Sequence, residues 1–510
     1  MATEVVFRRR RAWAANGVFR WLFTTNHKDI GILYLITTMG FFVLGGILAL
    51  LMRLELATPG ANVVDPATYS QLFSVHGSTM VFLVAIPLFG AFANYMMPIL
   101  IGAKEMAFPR LNALSFWLIP PAGILIWMGV ANVGWTAYAP LSIFEPDRGI
   151  DMWILGVMAL GTSSILGSLN FVTTIFKFRK PGVTFGNLSL YVWTVLVTAW
   201  LILLATPVIA SALTMLFLDR NLGTTFFAAA GGSPLLWQHL FWFYSHPAVY
   251  IMILPVMGIV SVIIPALSSK PIFGYKAIAF STVAIGFMGF GVWVHHMFTT
   301  GLDLTVRIPF MLVTFAIAIP SGIKIFNWIA TMWGGSIDLK TPMLFAIGFV
   351  GMFTIGGLSG VFLASIPLNY ALQDTYFVVA HLQDTYFVVA HLHYVLFGGT
   401  MMGIFAGIYY WFPRMSGRMY NERQGVWHFV LTLIGFNLTF FPMHFMGYLG
   451  APRRYAELLD AAAHPLMAPL NLLATIGAFI LAFAMLLFFY NLIRSAMTGP
   501  PSEPEPWEHL

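Results

Sequence analysis

Residues 234–264, PLLWQHLFWFYSHPAVYIMILPVMGIVSVII, contain no Asp, Glu, Lys or Arg. A helix that crosses a bilayer needs roughly 20 mostly apolar residues. This run is long enough to cross, yet it carries His239 and His246 in its interior. Working outward from it, comparable runs lie near 30–54, 71–101, 113–138, 149–176, 188–216, 275–298, 308–333, 342–366, 375–411, 425–448 and 466–492. Of the 510 residues, 59% are hydrophobic and only 9% charged, and the mean hydropathy is +0.83. A soluble protein carries roughly 25% charged residues, so an ordinary soluble enzyme and a disordered scaffold are both excluded. The fold class expected is an all-α polytopic membrane protein, a bundle of about twelve transmembrane helices.

Lys and Arg outnumber Asp and Glu by 25 to 19, a formal charge of +6. On a chain this apolar, the basic residues mark loops and orientation; they do not argue for nucleic acid. Arg53, Arg148, Arg220, Arg307, Arg453 and Arg454 fall in the odd-numbered loops and Lys324 within a span. All the others lie on the side of the N-terminal arm, which carries Arg8, Arg9, Arg10 and Arg11. Both termini are therefore expected in the cytoplasm, and a bacterial inner membrane is the expected location. No cleavable signal peptide is read at the start, because a polar stretch follows the arginines. The closing PPSEPEPWEHL has no periodicity and is expected to be a solvated end. There is no cysteine, so thiolate metal sites and disulfides are excluded.

Ionisable groups at membrane depth are costly and usually functional, and seven relevant histidines are among those placed there: His76, His239, His246, His295, His296, His391 and His393. His295 and His296 are adjacent near the outer end of the seventh span, and His246 sits midway along the sixth. Three neutral imidazoles suit copper, zinc or iron. Thr299 and Thr300, four residues on, are expected on the same helix faces, where their hydroxyls would support the ligands. Tyr250 lies four residues after His246, which places a phenol beside the metal. His391 and His393 project about 200° apart on one helix, so that helix can serve two cofactors on opposite faces. His76 can supply a second axial ligand to one of them. Bis-histidine ligation closes a haem iron for electron transfer, whereas a single proximal His leaves a side open to dioxygen.

At these residues the sequence resembles subunit I of the haem-copper oxygen reductases, most closely the cytochrome c oxidase type. The likeness is carried by NHKDIGILY at 26–34 and by MRLEL, HGSTM, IGAKEMAFPR, SSILGSLN, SHPAVY, VWVHHMFTTGLD, IKIFNW, VVAHLHYV and APRRY. The resemblance implies a low-spin haem on His76 and His393, a high-spin haem on His391, and copper on His246, His295 and His296. It further implies that Tyr250 is covalently joined to His246, that Arg453 and Arg454 meet haem propionates, and that Arg53 lies near an edge substituent of the low-spin haem. The cofactors implied are two haems, of haem A type, one copper and a magnesium ion. The partners implied are a copper-bearing subunit II, subunit III and other respiratory complexes, cytochrome c or a similar donor, dioxygen and the lipid bilayer. The organisation follows: an N-terminal arm at 1–27, a twelve-helix catalytic domain at 28–495, and a Pro-rich acidic cytoplasmic tail at 496–510.

Two proton paths follow from the same resemblance. One passes Lys324, the one Lys or Arg away from the ends of a span, with Ser321 and Ser261 toward Tyr250. The other starts at Glu105, where the family usually has Asp, and is lined by Asn94, Asn112 and Asn170. Many members carry a buried Glu in HPEVY; here it is Ala248 in HPAVY, which matches a branch in which Tyr and Ser just before the His take over. Tyr244 and Ser245 stand there, Tyr244 one helical turn from Ala248. The family's outer magnesium ligands become Gln383 and Asp384. The activity implied is reduction of dioxygen to water by a terminal respiratory oxidase, coupled to proton translocation. The alternatives are a quinol-oxidising relative, and a histidine-lined cation transporter without haem. Leu44, Leu48 and Thr68 depart from the quinol pattern, although Gln71 matches it.

QDTYFVVAHL at 373–382 recurs unchanged at 383–392. Ten residues turn a helix about 1000°, a net misphase of about 80°, so both copies cannot present one face. Only the second copy yields His-Leu-His. We read the duplication as a sequence error rather than a natural insertion; if it is genuine, the first copy must be loop or an N-terminal extension of the tenth helix.

Overall fold

A computed structural model describes residues 17–60, 63–372, 384–457 and 464–507. The protein is helical throughout, with no strand among the described residues, and 12 helices are long and apolar enough to cross a membrane. They are α1 (His27–Glu55), α2 (Pro66–Ile101), α3 (Pro109–Gly129), α4 (Gly149–Lys177), α5 (Leu190–Asn221) and α6 (Pro234–Leu267), then α7 (Tyr275–Met297), α8 (Leu304–Met332), α9 (Thr341–Ala364), α10 (Tyr386–Ser416), α11 (Glu422–Tyr448) and α12 (Met467–Thr498). Polar side chains start several of them. Asn26 accepts from the Lys28 amide at 2.9 Å, Asp65 caps α2 ahead of Pro66, and Asp303, Thr385 and Asn421 do the same for α8, α10 and α11. Such caps satisfy amides that the helix cannot.

Burial separates the centre of the bundle from its rim. In α2 and α6, 94% and 83% of the apolar window is buried, against 22% in α1 and 17% in α8. With lipid as apolar as the side chains themselves, helices associate through close packing at small residues. Between α11 and α12, a Cβ on Gly435 would stand 2.6 Å from the Leu481 amide nitrogen, and one on Gly477 2.6 Å from that of Thr439. α2 and α10 each contain a widened turn, Thr79–Ala85 and Leu396–Met401, and each lies within a few residues of histidines placed at membrane depth. Widened turns of this kind are frequent at functional sites.

The structure departs from the sequence reading in three places. α3 stops at Gly129, not near 138, because Val130 enters the left-handed region at φ 43° and residues 130–140 turn back. α7 is α-helical only to Met288; Gly289–Gly291 and Trp293–Met297 are tighter turns. The described part of the tail is not wholly solvated: Pro501, Glu503 and Pro504 are exposed, but Trp507 is buried, and its Nε1 donates to the Tyr410 carbonyl at 2.8 Å. α10 is described from Tyr386, so the first copy of the repeat lies outside the described residues.

Candidate metal and haem centre

Three imidazoles converge inside the bundle. His295 Nε2 and His296 Nε2 are 3.0 Å apart, and His246 Nδ1 lies 3.2 Å from His296 Nε2. One ring nitrogen from each stands within 4.8 Å of the others, the one such donor group among the described residues. Nitrogens bound at about 2.0–2.1 Å around one tetrahedral ion stand roughly 3.3 Å apart. Nitrogens at this spacing can share a proton or hold one cation between them, and three neutral imidazoles converging on one point fit a copper ion. The tight turns at Trp293–Met297 allow consecutive histidines to face one point, which a regular helix would splay by about 100°.

Around the cluster, Tyr250 packs edge-on against the His246 ring, with centroids 4.8 Å apart. The indole of Trp242 stacks on His296 at 3.9 Å and 10° and donates to the Tyr138 hydroxyl at 2.5 Å. Sequence reasoning missed this stacking partner, although Trp242 stands four residues before His246. It also misplaced the supporting hydroxyl. The turns break the periodicity that would have carried Thr299 and Thr300 onto the histidine faces, and Thr300 bonds the Met297 carbonyl instead. Thr314 of α8 supplies the contact, with its Oγ1 3.1 Å from His295 Nδ1. His239 stays outside the cluster and accepts from the Trp293 indole at 3.2 Å.

His391 and His393 leave α10 on different sides. His391 Nδ1 is 3.0 Å from both the Gly356 carbonyl and Ser359 Oγ on α9. The Ser359 hydroxyl gives its own proton to Gly356 O at 2.9 Å, so its remaining role toward His391 is acceptor. His393 Nδ1 bonds Val389 O at 2.8 Å, and its ring stacks on Phe440 of α11 at 4.1 Å. His76 Nδ1 bonds Gly45 O at 2.8 Å. With each Nδ1 held by a carbonyl, no Nε2 of these three has a hydrogen bond among the described residues, the arrangement that haem-ligating histidines adopt.

Arg53 is buried. Its Nη2 donates to Asn471 O, Asn471 Oδ1 and Thr475 Oγ1 at 2.7, 2.6 and 2.8 Å, while Nε and Nη1 have no partner among the described residues. Arg453 pairs with Asp384. Arg454, in the left-handed region at φ 73°, lies 5.4 Å over the Phe73 ring and makes no ion pair among the described residues. Burial, aggravated by Arg453, pulls its guanidinium down to about 9. A buried guanidinium so poorly compensated fits an anionic group such as a propionate. Asp384 is already committed to Arg453, and Gln383 lies outside the described residues, so the magnesium donors are not assembled by what is described.

Toward the face that holds Asn26 and Trp507, Glu105 Oε1 accepts from the His27 and Met106 amides at 3.0 and 3.2 Å. The His27 ring bonds Asn94 O at 2.7 Å. Asn112 is fully buried with both side-chain polar atoms unpartnered among the described residues, and Asn170 brackets Phe108 with two bonds. A cavity of ≈ 40 Å³, lined by Tyr34, Ser163, Ser164 and Tyr244 among apolar residues, lies farther in. That volume exceeds the roughly 10–15 Å³ that one water needs. The Ser245 hydroxyl, beside Tyr244, is buried without a partner among the described residues. Lys324 is fully buried; its Nζ donates to Thr282 Oγ1 at 2.5 Å and Ile278 O at 3.2 Å. Its bonds therefore reach α7, not Ser321 or Ser261: Ser321 bonds Ile317 O, and Ser261 accepts from Trp328.

The profile of the family described as "Cytochrome C and Quinol oxidase polypeptide I" matches residues 29–383 and 381–480. The chain belongs to that family. Its two matched stretches overlap at 381–383, across the junction between the two copies of the ten-residue repeat. Curated members similar to it include the cytochrome c oxidase subunit 1 of Synechocystis sp., 50% identical over 98% of this chain and 88% of the relative. That of Thermostichus vulcanus is 50% identical over 98% and 89%. The cytochrome c oxidase polypeptide 1 of Halobacterium salinarum is 47% identical over 96% and 82%. Membership of this oxidase family, with twelve apolar helices, makes the chain an integral membrane protein that uses haem and copper and works in a multi-subunit oxidase complex.

Proposed function

We propose that the chain is the catalytic subunit of a terminal respiratory oxidase that reduces dioxygen to water and moves protons across a bacterial inner membrane. The observation that carries the reading is the convergence of His246, His295 and His296 beside Tyr250. In this assignment His76 and His393 hold a low-spin haem, His391 a high-spin haem of haem A type, and the three-histidine cradle a copper ion. These groups, when bound, supply the electron transfer and dioxygen chemistry.

The polypeptide does the rest. Gly356 and Ser359 fix the His391 ring, and Thr314 fixes that of His295. Tyr250 sets a phenolic proton beside the copper-side ligands. Arg453 and Arg454 neutralise propionates on the outer side, and Arg53 meets an edge of the low-spin haem. Glu105 collects protons that pass Asn94, Asn112 and Asn170 to the water-sized cavity and then to Tyr244 and Ser245. Lys324, with Thr282, serves a second path in which Ser321, Ser261 and ordered water bridge toward Tyr250. Residues 1–27 and 496–510 flank the catalytic unit, 28–495, and both ends face the cytoplasm. Electrons come from cytochrome c through a copper-bearing subunit II, with subunit III in the assembly; no step is assigned to a magnesium ion.

The test is to purify the complex, record a reduced-minus-oxidised optical spectrum with copper analysis, and follow oxygen consumption with cytochrome c or a quinol as donor. Two haem signals, copper and cytochrome-dependent consumption are expected. Turnover with quinol alone moves the chain to the quinol branch, and a colourless, copper-free protein leaves the cation-transporter reading.

A further inference from the structure

The segment after α12 makes more contacts than a solvated tail requires. The Arg418 guanidinium donates to Gly499 O at 2.6 Å, the Met419 amide to Pro500 O at 2.8 Å, and the Ser502 amide to Gly417 O at 3.1 Å. Glu505 pairs with Arg414. Trp507 is 4% exposed, stacks on Tyr410 at 6.0 Å and 19°, and donates to its carbonyl. A buried indole contributes far more to docking than an exposed ion pair, because it removes roughly 150–250 Å² from water.

What the segment grips matters. Arg414 lies in the last turn of α10, and its carbonyl accepts from Tyr95 of α2 at 3.2 Å. Tyr95 is the neighbour of Asn94, whose carbonyl holds the His27 ring, and the His27 amide is bound by Glu105. An uninterrupted line therefore runs from Glu505 to Glu105. We propose that residues 499–507 are a strap that positions the proton-uptake mouth, with Trp507 as its anchor and Glu505 as the clamp on Arg414. These are positioning residues, and the proposal rests on the reading that Glu105 begins a proton path.

The test compares Trp507→Ala, Trp507→Phe, Glu505→Gln and Glu105→Gln in the intact complex. Two signals are read: hydrogen exchange across 417–419 and 499–507, and proton uptake during reoxidation of the reduced enzyme, timed against haem reduction by the donor. Trp507→Ala should speed exchange in both segments and slow proton uptake several-fold at unchanged haem content and haem reduction rate. Phe should restore both, and Glu505→Gln should give a smaller slowing. Rapid exchange with unaltered proton uptake would make the strap merely structural, and unaltered exchange would show that the anchor is not seated. If Glu105→Gln leaves uptake intact, the Glu105 path falls and takes with it the mouth that the strap would position; if Glu105→Gln slows uptake while Trp507→Ala does not, the strap alone falls.

Discussion

His391 is the residue on which the assignment turns, because it alone is placed on the reactive iron, whereas the other haem keeps His76 and His393. His391→Ala should abolish oxygen consumption and remove the carbon monoxide-binding haem signal while the low-spin signal stays; normal turnover would refute the placement. Ser359 offers a finer probe. Its lone pair shares the Nδ1 proton with Gly356 O, and loss of a hydrogen-bond partner behind a metal-ligating His typically lowers activity 10–100-fold. Because Gly356 O remains, Ser359→Ala should fall near ~10-fold, with Thr restoring most of it, as read by oxygen consumption. Lys324→Met removes the fully buried ammonium that meets Thr282. It should slow reduction of the haem-copper centre in stopped-flow measurements, since electrons entering there must bring protons; unchanged kinetics would take Lys324 off the path.

Elements place these residues by breaking their own regularity. α7 gives up its helix at Gly289 so that His295 and His296 converge, and a Cβ on Gly289 would lie 2.9 Å from the Tyr250 ring. Between α11 and α12 the opposite holds: regular helices meet at glycine, and the pair carries Asn471 and Thr475, which hold Arg53. Gly477→Ala sets a methyl group against the Thr439 backbone, and overpacking of this kind costs about 1–3 kcal/mol. The expected outcome is a lower midpoint for thermal loss of the haem spectrum, with a shift in the low-spin band as Arg53 moves. An unshifted band would mean that Arg53 does not meet that haem.

For the whole molecule, the proposed activity needs protons from one face and electrons from the other. Ala248 cannot carry a proton, and the water-sized cavity reaches Tyr244 instead. Tyr244→Phe should lower proton release per electron in reconstituted vesicles more than it lowers haem content, and Ala248→Glu should partly rescue it. A Phe variant that pumps like the parent would make the hydroxyl dispensable. The vesicles also test orientation, because uptake must occur on the face that carries Asn26 and Trp507.

Local pattern alone determined the twelve apolar runs and the identity of the converging histidines, since bilayer thickness sets run length and buried ionisable groups are few enough to stand out. What it could not carry was any contact between distant segments. The helix period put Thr299 and Thr300 beside the copper-side histidines, but a local change of helix type, settled by packing against α6 and α8, gave that place to Thr314. Lys324 was legible as buried, while its partner Thr282, 42 residues away in sequence, was not. The acidic, proline-rich tail looked solvated because composition counts charges and cannot see the pocket at the end of α10 that buries Trp507. Only the tertiary structure decided these points, because each depends on where a second helix packs, a distance that no spacing along the chain encodes.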